Sequence, residues 1–73
     1  MSRAVAIGEG ARVAGYALAG VEVKPVESAA TALGAWRALD EDTQLVLLTP
    51  AAAAALAGPL AENERRIWVV LPE

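Results

Sequence analysis

The residues with the most chemical promise come early, where "VAIGEGARVAG", residues 5–15, sets Gly8, Glu9 and Gly10 directly after an apolar run. Two glycines at that spacing, ahead of a helix, open a dinucleotide-binding turn, in which backbone N–H groups receive a pyrophosphate at the helix N-terminus. Glu27 stands close to where such a fold places its ribose-binding acid. The third glycine of the fingerprint is missing, because position 13 is Val13 and the next glycine is Gly15. A chain of 73 residues also lacks room for the second mononucleotide half. What remains is a small-anion or switch-point site at Gly8, Glu9, Gly10 and Thr49, with no cofactor expected.

Other chemistries fail on residue type. A phosphoacceptor site needs clustered acids after the first strand and an aspartate after the third, where this chain offers Glu9 and Thr49. Asp40-Glu41-Asp42 reads as a solvated loop, since consecutive acids rarely converge on one cation. The hydroxyls of Ser2, Ser28, Thr31, Thr43 and Thr49 have neither His nor Cys to activate them, so no nucleophile with its base emerges and catalysis is not expected. A net charge of −3 argues against a nucleic-acid surface, and Arg65-Arg66 is the one adjacent basic pair.

These residues must be positioned by a small scaffold. Four apolar runs, residues 3–7, 21–26, 45–48 and 67–71, read as strands, and the intervening segments read as helices. Alternation of that kind predicts a single α/β domain over residues 1–73, three-layer αβα, with a four-stranded parallel sheet. "VEVKPV" alternates apolar with charged residues and carries Pro25, which suits an edge. "AVAI" and "LVLL" are continuously apolar, as buried central strands are. The implied order is 2-1-3-4, a Rossmann-like or flavodoxin-like half, and it leaves "IWVVL" at the other edge.

Ser28 is placed to cap a helix over 29–39, with Ala29, Ala32, Leu33, Trp36 and Leu39 on its sheet-facing side. Thr49 caps the next helix with Pro50 at its first position, and Gly58 is expected at its C-terminal stop, before a further turn from Pro59. Residues 43–61 hold no charge, but two prolines and an alanine-rich middle argue for a strand, a turn and a helix rather than a membrane span. The N-terminal apolar run is too short for a signal-peptide core, so a cytoplasmic location is expected.

"IGEGARVAGYALAGVEVKPVES", "LVLLTPAAAAAL" and "IWVVLPE" together resemble the globular domain of the F subunit family of the V-type and archaeal-type rotary ATPases and ATP synthases. The family's Gly-aromatic-x-x-Ala-Gly signature is matched by Gly15-Tyr16-Ala17-Leu18-Ala19-Gly20, its acid after the second strand by Glu27, and its proline after the fourth by Pro72. The resemblance covers the globular part and not the C-terminal helical segment that follows it in the family. It implies a non-catalytic central-stalk component, cytoplasmic and peripheral to the membrane, serving ion transport and ATP synthesis through a coiled-coil partner similar to the D subunit of those complexes. The other reading is a stand-alone binding or regulatory module that self-associates through its last strand or binds a small anion. Partner-facing candidates are Arg12 and Tyr16 on the first helix, taken to face away from Val13 and Ala17, and Trp68 and Val70 on the last strand; Trp36 is assigned to the core.

Overall fold

A computed structural model describes residues 3–72 and, within them, all side chains except those of Leu18 and Ala19. Strand β1 (Arg3–Gly8) leads into the short helix α1 (Gly10–Val13) and a 3-10 helix (Ala14–Ala19), then β2 (Glu22–Pro25). Helix α2 (Ala29–Arg37), β3 (Thr43–Leu48), the consecutive helices α3 (Pro50–Ala55) and α4 (Ala57–Glu62), and β4 (Ile67–Val70) complete the chain. All strand pairs are parallel, in the order β2-β1-β3-β4. The α/β class and the strand order are those expected from the sequence.

Right-handed crossovers put α1 and the 3-10 helix on one face of the sheet and α2, α3 and α4 on the other, because the chain reverses its direction across the sheet after β2. The main core lies under the three later helices. Val5, Ile7, Val46 and Leu48 point into it from the sheet and meet Ala32, Trp36, Ala52, Leu56 and Leu60. On α2, Leu33 and Leu39 are half-buried beside this cluster, while Ala29 is exposed.

The opposite face is only half covered. Val13 and Ala6 are fully buried where α1 lies over β1 and β2. Leu45 and Leu47 share that face with Ile67 and Val69, by the register Leu45↔Ile67 and Leu47↔Val69. Ten residues separate Glu9 from Gly20, too few to extend a layer over β3 and β4.

Six of those ten residues wind as a 3-10 helix before β2 enters the sheet with Glu22 level with Val5. Three residues per turn also stack Tyr16 directly beneath Val13. Tyr16 is accordingly half-buried and Ala17 exposed, the reverse of the orientation expected from α-helical spacing. Gly20 ends the run at φ 85°, a left-handed conformation that disfavours other residues.

Gly58 lies inside α4 and does not end α3. The break falls at Leu56 because Pro59 has no N–H to offer and its ring would collide with the carbonyl of Ala55. The chain restarts with the Leu60 N–H donating to the Leu56 carbonyl. No helix among the described residues is long and apolar enough to cross a membrane.

Candidate functional site

The carboxyl ends of β1 and β3 bring Gly8, Glu9, Gly10 and Thr49 to one crevice, at the point where the crossovers part to opposite faces. Gly8 is required there by close approach: a Cβ on it would lie 2.2 Å from Cγ2 of Thr49. Gly10 has no such constraint, since its nearest contact would be an ordinary 3.7 Å to Pro25, and it is simply the first residue of α1. The expected pair of turn glycines is therefore one steric glycine and one incidental one.

Thr49 is buried and its hydroxyl is fully engaged. It donates to Oε1 of Glu9 and accepts from the Ala52 N–H as the cap of α3. The hydrogen bond from Thr49, then that from Glu9's own backbone N–H, outweigh partial burial and hold the Glu9 carboxyl below its usual value, with Arg12 adding a smaller pull. A carboxylate of this chain thus sits where a small anion was expected, and it repels a second negative charge.

Ser28 and Thr31 close a capping box at the start of α2, each side chain accepting from the other's backbone N–H. Between this turn and α3 lies an open cavity of about 460 Å3, with Glu9, Glu27 and Ser28 at its rim and Ala32, Ala51 and Ala55 among its walls. Its lining is mostly methyl groups, and its rim is acidic.

The residues singled out as partner-facing do not form one surface. Arg12 donates to the carbonyl of Pro72 at 3.2 Å and lies 3.9 Å from Glu9, so it ties α1 to the chain just past β4. Tyr16 is half-buried on the 3-10 helix, which lies beside β2. Trp68 and Val70 are 40% and 41% exposed on β4, and Ile67 and Val69, which the sequence pattern did not single out, are 69% and 46% exposed. Together they make an edge strand of four bare apolar residues.

Residue type gave no sign of the part played by Arg66. Its guanidinium lies 5.3 Å over the Trp36 ring and donates to the carbonyls of Thr43 and Asp40. Asn63 brackets its backbone, donating to the Arg66 carbonyl and accepting from its N–H. This cluster aims the chain from α4 into β4. In the acidic loop, Asp40 pairs with Arg3 while Glu41 and Asp42 are exposed, and no three acids among the described residues converge as metal ligands. Ser2 lies outside the described residues. No family model matches the chain, and neither a curated protein nor a solved structure matches it.

Proposed function

We propose that this chain is a non-catalytic protein-interaction module whose working surface is β4 together with the half-buried Leu45 and Leu47 beside it. The observation that carries the reading is the exposure of all four β4 residues, Ile67, Trp68, Val69 and Val70, on an edge strand whose outer side has no partner strand among the described residues. The hydroxyls best placed for chemistry support the non-catalytic half, because those of Ser28, Thr31 and Thr49 are committed to helix caps.

In its most specific form the reading makes the chain a rotary-ATPase stalk component of the F subunit kind, held against a coiled-coil protein, with nucleotide turnover left to the rest of the complex. The signature at residues 15–20 and the strand order support that form. The stand-alone module is favoured by the Glu9 carboxylate only in its self-associating version, since an anion at the crevice would meet that charge.

Affinity capture from native lysate tests both, with the wild-type chain and Trp68→Lys as baits. An identified coiled-coil stalk protein on the wild-type bait, lost on Trp68→Lys, is the outcome expected of the stalk form. A wild-type chain that neither self-associates nor retains any protein through β4 overturns the interaction reading.

A further inference from the structure

Resting on the reading of β4 as the interaction surface, in its self-associating form and not its stalk form, we infer that its occupant is a second copy of this chain, joined by antiparallel β4-β4 pairing about a two-fold axis through Val69.

The backbone sets the register. The N–H of Leu71 donates to the Leu48 carbonyl at 2.7 Å, so position 71 faces β3. Main-chain groups alternate in direction along a strand, so those of Val69 and Ile67 also face β3, and those of Trp68 and Val70 point to the open edge. Two copies satisfy all four outward pairs at once when Trp68 of each stands opposite Val70 of the other. Val69 then meets its own symmetry mate as a non-hydrogen-bonded pair, and the two sheets become one of eight strands.

Side chains agree with this register. Each Trp68 lies beside a β-branched valine, a favoured cross-strand combination. Ile-Trp-Val-Val has high strand preference and none of the charges or prolines that block edge pairing. The axis stands perpendicular to the sheet, so the two partly covered half-faces, each with the half-buried Leu45 and Leu47, come side by side.

Size sets the strength. One four-residue strand per copy contributes well under the roughly 800 Å2 per partner of a standard interface, which is the size class of weak, transient association. The dimer is therefore a concentration-dependent one.

Sedimentation equilibrium of the wild-type chain should show twice the 7.5 kDa mass at high concentration and the single mass on dilution. Val69→Lys, which sets two ammonium groups on the axis, and Val70→Pro, which removes an outward N–H while sparing the β3 ladder, should each weaken association at least tenfold with an unchanged circular dichroism spectrum. The chain has no cysteine, so register can be read by oxidation. Val69→Cys places two Cα atoms about 4.5 Å apart, within disulfide reach. In Ile67→Cys they stand about 14 Å apart, four residues along the strand, although Ile67 is the more exposed. Fast crosslinking at 69 and slow crosslinking at 67 is the expected result; equal rates overturn the register. A wild-type chain that is monomeric at all concentrations, yet binds an identified partner in a Trp68-dependent way, overturns self-pairing and leaves the interaction reading standing. A monomer that binds nothing overturns both.

Discussion

β2 and β4 flank the same two central strands, in the same parallel sense, and differ in nearly everything an edge presents. On β2, Glu22 and Lys24 form an ion pair at 3.0 Å along the strand. The Val26 N–H donates to the Gly8 carbonyl, so position 26 faces β1 and Pro25 faces outward, where its missing N–H leaves nothing to pair. β4 carries no charge, no proline and no register shift. One edge of this sheet is closed to further strands by its chemistry and the other is open, so the two edges are a matched pair in which composition is the variable.

Removing that difference should have the largest effect. Glu22→Val with Lys24→Ile and Pro25→Val turns β2 into a second open edge, and a chain with two open edges assembles without closure. The soluble fraction after ultracentrifugation at tens of micromolar should fall from nearly all to a small part. A triple variant that remains as soluble as wild type would mean that composition does not guard β2.

A change at the centre should leave the comparison intact while lowering both edges together. Gly8→Ala drives a methyl group into Thr49 and should cost about 1–3 kcal/mol in urea unfolding, by the usual penalty of overpacking. Hydrogen exchange should then quicken in β2 and β4 alike.

Arg66→Ala separates the edges again, because Arg66 ties the entry of β4 to Trp36 and to the start of β3, on the side of the sheet away from β2. Loss of two charged hydrogen bonds and one cation–π contact should cost about 2 kcal/mol. Amide protection should drop in β4 and not in β2; equal losses would show that the Arg66 cluster supports the core as a whole.

The smallest effect expected is that of acid on the crevice between the edges. The folded Glu9 carboxyl titrates below its ordinary value of 4.5, so its contribution is complete at neutral pH and is lost as pH falls from that value through the folded one. Melting temperature should therefore fall less between pH 6 and about pH 3 in Glu9→Gln than in the wild type. Identical acid limbs would place the titrating group elsewhere.

What was legible in the sequence follows the range of the forces involved. Strand order could be read because Pro25 and the charges of β2 mark an edge within six residues, and unbroken apolar runs mark the centre. The caps at Ser28 and Thr49 were legible for the same reason: a hydroxyl acts on a backbone group three positions away. The 3-10 helix was hidden because residues 14–19 carry no local mark that separates 3-10 from α-helical winding. The break before Gly58 depended on which carbonyl Pro59 would strike. The Glu9 to Thr49 hydrogen bond spans 40 positions and the Arg66 to Thr43 one spans 23, beyond any local pattern.

The Glu9 carboxylate at the end of β1 has a thermodynamic consequence. In a fold that binds a free anion at this point, the folded population rises with the concentration of that ligand by mass action. Here the negative group is tethered to the strand that presents it, and its effective concentration is fixed by the chain. The Thr49 hydroxyl therefore keeps its acceptor at any dilution, and the contact answers to proton activity directly and to ionic strength through Arg12.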